Sequence, residues 1–471
     1  MKIMFVGSEA TPFSKTGGLA DVLGSLPYAL RKMGHEVTLV LPKHQMTKDT
    51  FDGKLTLTHH TKVQIKDKRE YVGYETMVHD GVKVVFIDNE YYFGYRENLY
   101  GDFDDGERYG FFAQAVVTYL GHIMGGIDIL HLNDWQTGLI PYVIKCANND
   151  ALKPIKTVFT IHNIAYQGRF DKALMPYLNV PYSDDLEFDD ALNFLKAGIV
   201  GSDWVTTVSK SYAVELTYAY FGYGMEGLLR ERKDTFSGIM NGIDYKEFSP
   251  KTDRYIAYNY GLNNYLKGKE TNRKALLKMF HIEDDNQPII GIVSRLAEQK
   301  GFNLLRDIIE DYLEEKAVKL IVLGSGQPEI EGYFDHLKQR YHNQVGVYFG
   351  YNEKMARQIY AGVDFFLMPS RYEPCGLSQL ISLKYGTIPI VRQTGGLRDS
   401  ILPYNRYTNE GNGIGFLNFS KADLHEGLEE ALKLYHNKKA FKQVIRRGMQ
   451  ADFSWEQSAL QYQKLYRKLG G

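Results

Sequence analysis

The 471-residue sequence has few cysteines, no excess of either charge and no long apolar run. Two cysteines, Cys146 and Cys375, are too few for a disulfide framework and are typical of a protein of the reducing cytoplasm, the location we expect. The net charge of −1 argues against a nucleic acid or an anionic membrane surface as partner. No run approaches the roughly 18 apolar residues that span a bilayer. The short run 3–6 predicts a first strand and not a secretory signal.

A chain of this length is too long for a single hydrophobic core, so we expect more than one domain. Strand and helix patterns alternate through the first part, which is typical of a parallel, doubly wound α/β sheet. The predicted strands are Lys2–Gly7, Glu36–Leu41, Asp128–Leu132, Lys156–Ile161 and Trp204–Val208, with hairpins over 55–88. The predicted helices are Leu19–Met33, Glu107–Met124, Thr137–Ala147 and Leu192–Val200.

A second alternation starts near residue 288 and predicts a second doubly wound domain. Its predicted strands are Pro288–Val293, Val318–Leu323, Val345–Phe349, Asp364–Met368 and Ile388–Val391. Its predicted helices are Phe302–Glu315, Glu329–Tyr341, Glu353–Ala361 and Gln379–Tyr385.

The turn-rich stretch after Asn241 divides the two alternations. We predict a first domain at 1–241, a linker at 242–250, a second domain at 251–453, and a C-terminal helix at 454–471 that braces the first domain. Two open α/β domains are expected to point their strand C-termini at a deep cleft between them.

Polar motifs follow the predicted strands of the first domain. Gly17 and Gly18 open a helix and expose backbone N–H groups to an anion, and Lys15 adds a point charge. The spacing of a P-loop is absent, and a simple glycine-rich turn is the alternative. Asp134 follows one strand, and His162 and Asn163 follow another; residues of these types hydrogen-bond to a hexose. They lack metal-ligand spacing, so we expect no protein-bound metal and no cofactor.

The second domain has cationic and glycine-rich strand ends. Arg295 and Lys300 lie on one loop, where both can reach a diphosphate, Arg as a fork and Lys as a point charge. Gly324 is expected to allow close approach of a nucleotide. Tyr351 follows the next strand and could stack on a base. Thr394 and Gly395 form a further turn after a strand.

The most informative stretch is 368–378, a predicted strand-to-helix turn. Pro374 biases Glu373 toward extended geometry and so holds its carboxylate outside the helix. Gly376 gives a ligand access to the first free N–H groups of the helix. A carboxylate beside an anion site suits a sugar–phosphate substrate; the alternative is an ordinary βα loop with a surface Glu.

Four stretches, 15–22, 160–168, 241–244 and 370–377, resemble bacterial glycogen synthase and plant starch synthase in the same order and spacing. The resemblance runs nearly end to end. It implies the GT-B fold, with two Rossmann-like domains, and a retaining transfer of glucose from ADP-glucose to the 4-OH of an α-1,4-glucan such as glycogen, with release of ADP. The choice of ADP-glucose over UDP-glucose depends on this resemblance alone, and the oligomeric state stays undetermined.

The resemblance also implies roles for individual positions. Lys15, Gly18, Arg295 and Lys300 are similar to the residues that hold the diphosphate. Glu373 resembles the carboxylate on the transferred glucose, and Cys375, Gly376 and Leu377 are expected beside the sugar and phosphates. The backbone carbonyl of His162 is expected to face the anomeric carbon. The remaining expected contacts are Asp134 and Asn163 to glucose or acceptor, Asp21 and the stretch Tyr95–Tyr100 to the glucan, and Tyr351 to the adenine.

The expected reaction is same-face attack by the acceptor 4-hydroxyl, with the leaving diphosphate taking the proton. The cations bind the departing charge more tightly as it develops, each contributing about 3 kcal/mol. Other interpretations are a glycogen phosphorylase, whose pyridoxal phosphate motif we do not find, a transferase for a small acceptor, and a non-catalytic glucan-binding protein.

Overall fold

The computed structural model describes residues 1–123, 126–315 and 317–470. Backbone contacts divide the chain into two compact units. The first comprises Met1–Gly242 and Trp455–Gly471, and the second comprises Ile243–Ser454. None of the helices in the described part of the chain combines the length and hydrophobicity needed to cross a bilayer.

The first unit contains a nine-stranded sheet in the order β12-β11-β7-β6-β1-β2-β5-β4-β3, and only β4 runs antiparallel to its neighbours. A separate three-stranded antiparallel sheet has the order β8-β10-β9. The strands are β1 Lys2–Val6, β2 Glu36–Pro42, β3 Thr56–Ile65, β4 Lys68–His79, β5 Val82–Asp88, β6 Ile129–Asn133, β7 Lys156–Ile161, β8 Arg169–Phe170, β9 Glu187–Phe188, β10 Ala191–Asn193, β11 Trp204–Thr207 and β12 Phe236–Gly238.

The α-helices of Met1–Gly242 are α1 Gly18–Leu23, α2 Leu26–Lys32, α3 Gln45–Phe51, α4 Asp105–His122, α5 Ile140–Cys146, α6 Met175–Leu178, α7 Phe194–Gly201, α8 Lys210–Glu215, α9 Ala219–Gly222 and α10 Glu226–Glu231. A π-helix spans Glu90–Gly94, and short 3₁₀ turns lie at Asp52–Lys54, Trp135–Thr137, Asp150–Leu152, Lys172–Leu174 and Asp184–Leu186.

Two predicted helices of this unit are wrong in detail. Leu19–Met33 is two helices, because the chain turns at Gly24, where a Cβ atom would lie 2.8 Å from the Thr11 carbonyl oxygen. Leu192–Val200 is a helix only from Phe194, since Leu192 pairs with strands β8 and β9. The predicted end of the helix Glu107–Met124 lies outside the described residues.

The C-terminal helix, Trp455–Lys468, packs into the core of the first unit. Its Tyr466 hydroxyl lies 2.7 Å from Nδ1 of His131 on β6, and Nε2 of His131 lies 2.6 Å from the Thr160 hydroxyl on β7. Burial lowers the pKa of His131 to about 3, so this imidazole is neutral. A buried hydrogen-bonded chain therefore joins the last helix to the central strands.

The second unit contains a six-stranded, all-parallel sheet in the order β15-β14-β13-β16-β17-β18. Its strands are β13 Ile289–Val293, β14 Lys319–Gly324, β15 Val345–Phe349, β16 Phe365–Met368, β17 Ile388–Arg392 and β18 Ile414–Phe416. Its helices are α11 Tyr265–Met279, α12 Phe302–Arg306, α13 Ile309–Glu314, α14 Pro328–Arg340, α15 Glu353–Gly362, α16 Ser378–Lys384, α17 Gly395–Ser400, α18 Lys421–His436 and α19 Lys438–Gln450, with a 3₁₀ turn at Glu298–Lys300.

Two features differ from the predictions for this unit. The predicted helix Phe302–Glu315 is interrupted after Arg306, whose carbonyl oxygen accepts a hydrogen bond from the Tyr333 hydroxyl. The predicted linker 242–250 belongs to the second unit from Ile243 onward. Ile243 is buried in its core, and the Ile243 N–H donates to the Phe453 carbonyl at 2.8 Å.

Candidate active site

A cavity of about 160 Å³ lies at the C-terminal ends of β13 and β16 in the second unit. Its lining residues are Val293, Ser294, Arg295, Lys300, Phe302, Leu367, Met368, Pro369, Ser370 and Ser378. The carboxyl edge of a parallel sheet is where ligands bind in open α/β folds. Two of the predicted phosphate-binding residues, Arg295 and Lys300, therefore share one recess with the strand-to-helix turn singled out in the sequence.

Glu373 and Lys300 form an ion pair beside this cavity. Nζ of Lys300 lies 2.6 Å from Oε2 of Glu373, and the side chains are 17% and 8% exposed. The Ser370 hydroxyl donates to the same carboxylate oxygen at 3.0 Å. Glu373 is thus a buried and partnered carboxylate, which excludes the alternative of a surface Glu on an ordinary loop.

The Glu373 loop is clamped between two glycine turns. Gly301 has φ +75°, and a Cβ atom there would lie 2.0 Å from the Pro369 carbonyl oxygen. Gly395 has φ +45°, and a Cβ atom there would lie 2.0 Å from the Glu373 carbonyl oxygen. The Gly396 N–H donates to that carbonyl at 3.0 Å. Only glycine permits this approach, so both turns fix the position of Glu373.

Arg295 differs from Lys300 in having a free side chain. It is exposed, and in the residues the structure describes its guanidinium has no carboxylate within ion-pair distance. Lys300 is engaged with Glu373, so Arg295 is the cation of this recess that is available to an anionic ligand without breaking an ion pair.

The turn after Glu373 is organised by Gln379, which the sequence analysis did not single out. The Gln379 amide donates to the carbonyl oxygens of Cys375 and Gly376, both at 3.0 Å. Gly376 has φ +72°, and Leu377 caps α16, which begins at Ser378. The Gln379 contacts define the path of the three residues expected beside the sugar and phosphates. Thr394, predicted with Gly395, is buried at the start of α17.

Gly324 and Tyr351 lie on the two neighbouring strand ends. A Cβ atom at Gly324 would lie 1.9 Å from the Ser294 carbonyl oxygen, so the glycine is required by a contact within the chain itself. Tyr351 is 76% exposed, and its hydroxyl donates to Glu353. The Gly350 N–H donates to the Gly324 carbonyl at 3.1 Å, which joins the two loops.

In the first unit, the predicted anion-binding glycine loop is held by a residue that sequence reasoning missed. The buried carboxylate of Glu9 accepts hydrogen bonds from the Thr16 and Gly17 N–H groups and from the Thr16 hydroxyl. The Tyr100 hydroxyl lies 2.6 Å from the Thr16 hydroxyl. The expectation that the Gly17 N–H is open to an anion is therefore wrong in this structure, because a carboxylate already occupies it.

Lys15 and Asp21 form an exposed ion pair, with Nζ 2.7 Å from Oδ1. The prediction placed Lys15 on the diphosphate and Asp21 on the acceptor. Exposed pairs of this kind are worth about 0–1 kcal/mol, so exchange of Asp21 for a phosphate costs little. Gly18 is the first residue of α1, and a Cβ atom there would meet no atom within 4 Å.

Asp134 and His162 follow the neighbouring strands β6 and β7, and a hydrogen bond joins the two residues. Oδ1 of Asp134 accepts a hydrogen bond from the backbone N–H of His162 at 2.7 Å, and the backbone N–H of Asn163 also interacts with this carboxyl group. Asp134 has φ +58°, a strained backbone for a residue other than glycine. Asn133 donates its amide to the Val6 carbonyl, so its Oδ1 accepts from Nε2–H of His162 at 3.0 Å.

Burial shifts the pKa values of these groups in the direction of their neutral forms. It raises the pKa of Asp134 to about 7, against the two backbone N–H groups that lower it. It lowers the pKa of His162 to about 3. It also raises the pKa of Glu9, which in turn raises that of Asp134 by charge repulsion. His162 is consequently a neutral imidazole at physiological pH and adds no positive charge.

Tyr95 lies outside these contacts. Its ring is 74% exposed at the end of the π-helix, and Nζ of Lys48 lies 5.0 Å from the ring centroid. The following loop is fixed by Arg96, which pairs with Asp104 at 2.5 Å, and by Arg108, which pairs with Asp105 at 2.6 Å. The aromatic stretch is thus presented by an ordered loop. Across the described ranges, no cluster of three or more His, Cys, Asp or Glu side chains is placed to hold a metal ion.

The starch synthase catalytic domain family matches residues 2–231, and the glycosyl transferase group 1 family matches residues 274–448. A glycogen synthase of Bacillus cereus (strain Q1) is 43% identical over 477 residues, covering all of both chains. A glycogen synthase of Geobacillus stearothermophilus is 41% identical over 480 residues, covering all of this chain and 98% of that one.

The chain belongs to the glycogen and starch synthase family.

Solved structures agree with this assignment. The catalytic domain of starch synthase IV from Arabidopsis thaliana, solved with ADP and acarbose, is similar with a TM-score of 0.89 and 31% identity over 99% of each chain. A sucrose-phosphate synthase from Thermosynechococcus elongatus, at 17% identity and a TM-score of 0.63, shares the fold. The predicted GT-B fold and family are confirmed, and the chain is a glucosyltransferase that uses a nucleotide-sugar donor and a glucan acceptor.

Proposed function

We propose that this protein transfers glucose from ADP-glucose to the non-reducing-end 4-hydroxyl of an α-1,4-glucan, with retention of the anomeric configuration and release of ADP. The observation that carries the proposal is the recess of the second unit at the carboxyl edge of the sheet, which Arg295 and Lys300 line and beside which Lys300 pairs with the clamped Glu373. The similar starch synthase was solved with ADP and acarbose, a nucleotide and a sugar analogue of the proposed kind.

The cations act on the leaving group. Negative charge grows on the departing ADP as the glycosidic bond breaks, and Arg295 and Lys300 bind that charge more strongly in the transition state than in the ground state. The Lys300–Glu373 pair keeps the ammonium at the edge of the recess before the donor arrives. Lys15 is also assigned to the diphosphate.

Glu373 positions the glucose. A carboxylate held by Lys300 and Ser370 accepts hydrogen bonds from sugar hydroxyls in a fixed direction. Asp134, Asn163 and the backbone carbonyl of His162 are assigned to the reacting glucose and the acceptor, and Asp21 and Tyr95 to the glucan. We assign Cys375, Gly376, Leu377, Thr394 and Gly395 to the sugar and phosphates, and Gly324 and Tyr351 to the nucleoside.

The state of the carboxyl groups favours same-face attack over a covalent glucosyl intermediate. A retaining enzyme with a covalent intermediate needs an ionised, unencumbered carboxylate at the anomeric carbon. Glu373 is engaged by an ammonium and a hydroxyl, and Asp134 accepts the His162 N–H while its pKa is raised to about 7. The diphosphate oxygen is then the base that takes the acceptor proton.

The experiment that tests the proposal measures nucleotide release from ADP-glucose and from UDP-glucose, each with and without glycogen. We expect rapid, glycogen-dependent ADP release and new α-linked glucose in the polymer. Equal or faster UDP release would contradict the donor assignment, and release independent of glycogen would indicate hydrolysis. Mass-spectrometric detection of a glucosyl ester on Glu373 or Asp134 would contradict same-face attack.

A further inference from the structure

Arg357 is a buried side chain at the centre of a polar network in the second unit that none of the proposed steps uses. The side chain is 2% exposed. Its Nε donates to Oε1 of Glu353 at 2.6 Å, its Nη1 to the carbonyl oxygen of Glu247 at 2.6 Å, and its Nη2 to Oε1 of Glu247 at 2.5 Å. The Phe248 ring covers the guanidinium, with 3.9 Å from its carbon to the ring centroid. All three contacts fix the orientation of a planar fork.

One side of this network reaches the loop that carries Tyr351. The Tyr351 hydroxyl donates to Oε2 of Glu353, the carboxylate whose other oxygen Arg357 holds. The loop is also fixed at its two ends: Gly350, with φ +129°, donates its N–H to Gly324, and Oδ1 of Asn352 caps α15 by accepting the Met355 N–H at 2.9 Å. The hydroxyl contact ties the end of the ring, which is 76% exposed, to this carboxylate.

The other side of the network reaches the stretch 243–253, where the chain has just crossed from the first unit into the second. Glu247 binds two of the guanidinium nitrogens, and Oδ2 of Asp253 lies 3.6 Å from Nη1. Asp253 also accepts the Tyr385 hydroxyl. Arg357 is therefore anchored in the body of the unit and is not free to follow the exposed loop.

We infer that Arg357 is a positioning residue for nucleotide selection: through Glu353 it fixes the Tyr351 ring in the orientation that stacks on the base of the donor. The inference rests on the proposed function, in which Tyr351 contacts the adenine. An aromatic ring held in one orientation loses little conformational entropy when a base stacks on it. A purine offers a larger face than uracil, so a fixed ring favours ADP-glucose over UDP-glucose.

A second Tyr–Glu–Arg arrangement in the same unit serves as a control. The Tyr341 hydroxyl donates to Oε1 of Glu314 at 3.2 Å, and Nη2 of Arg340 lies 2.7 Å from that oxygen. This Tyr–Glu–Arg arrangement lies at the end of α14 and includes no residue assigned to the substrate. Substitutions there report the general effect of losing such a contact.

The experiment is a double-mutant cycle in the full-length protein with Tyr351→Phe, Arg357→Lys and the double variant, with Tyr341→Phe and Arg340→Lys as controls. We measure kcat and KM for ADP-glucose and UDP-glucose and the melting temperature of each variant. Each single variant at Tyr351 or Arg357 is expected to raise KM for ADP-glucose three- to tenfold, with kcat within twofold. The KM of the double variant for ADP-glucose is expected to equal that of the single variant with the higher KM, because both changes release the same ring. The preference for ADP-glucose falls by the same factor, and the controls leave both KM values unchanged.

Additive effects in the double variant, or an Arg357→Lys effect on kcat and stability alone, would overturn the inference in favour of a structural role. If Arg357→Lys does not fold, the cycle is run with Glu353→Gln, which keeps an acceptor for Tyr351 and weakens its tie to Arg357. A wild-type protein that does not turn over ADP-glucose would instead refute the proposed function, so the two failures are distinguishable.

Discussion

Replacing Lys300 with Met separates the catalytic and structural parts of the Lys300–Glu373 pair. The substitution keeps most of the side-chain volume and removes the ammonium. Among the described residues, Glu373, with 8% of its side chain exposed, then keeps the Ser370 hydroxyl as its remaining side-chain partner.

The magnitude follows from burial. Breaking a buried ion pair by removing one partner costs about 3–5 kcal/mol, and the residual exposure of both groups places this pair near 3 kcal/mol. Loss of one group that stabilises developing charge lowers kcat by about 10²- to 10³-fold. Lys300→Met is therefore expected to lose both stability and turnover.

The double variant Lys300→Met, Glu373→Gln distinguishes the two losses. It removes the stranded charge and keeps an acceptor for Ser370, so about 2 kcal/mol of the free energy of unfolding is expected to return. Turnover is not expected to return, since neither the cation nor the carboxylate is restored. The free energy of unfolding is measured by urea denaturation, and kcat by ADP release at saturating donor and glycogen.

Two results would refute this reasoning. A Lys300→Met protein with kcat within threefold of the wild type would show that the ammonium does not stabilise the leaving group. A double variant that regains turnover would show that Lys300 serves only to neutralise Glu373.

Three further predictions concern the first unit. Glu9→Gln weakens three hydrogen bonds to the 16–17 backbone and the Thr16 hydroxyl and is expected to raise donor KM about tenfold with the fold intact by circular dichroism; an unchanged KM would contradict the role of this loop. Because the pKa of Asp134 is raised in the fold, this carboxyl group contributes stability that is fully present below about pH 4 and is lost as pH rises to about 7; the difference in unfolding free energy between the wild type and Asp134→Asn, measured by urea denaturation at each pH, is expected to follow that loss. Because the pKa of buried His131 is lowered to about 3, the contribution of this imidazole to stability falls as pH drops below about 6.5, by about 1.4 kcal/mol per pH unit; His131→Gln should remove that contribution relative to the wild type, and an unaltered pH dependence would show that another group titrates.

Local patterns in the sequence predicted most of the strands, because buried parallel strands form short apolar runs between turn residues. Lys156–Ile161 and Val345–Phe349 have the predicted bounds. The errors arise where a distant residue decides the local structure. The Tyr333 hydroxyl donates a hydrogen bond to the Arg306 carbonyl oxygen, at the point where the predicted helix is interrupted. Leu192 pairs with Phe170 and Glu187 in a small sheet and so lies outside the helix.

The same distinction applies to the candidate site. The positions of Arg295, Lys300 and Glu373 at strand ends were predictable; in the structure Arg295 and Lys300 line one recess, and Glu373 pairs with Lys300 beside it. The partner of the glycine loop was not, since Glu9 precedes Thr16 by seven residues and carries no motif of its own. An acidic residue after a first strand and before a glycine turn is the sequence signal that would have indicated this partner.

The C-terminal helix has a consequence for the order in which the protein matures. Residues 1–242 leave the ribosome before the second unit, yet their buried His131 has no Tyr466 to bind until the helix Trp455–Lys468 has been synthesised. The second unit has all of its residues by Ser454 and can close its core earlier. The first unit is therefore begun before the second and completed after it.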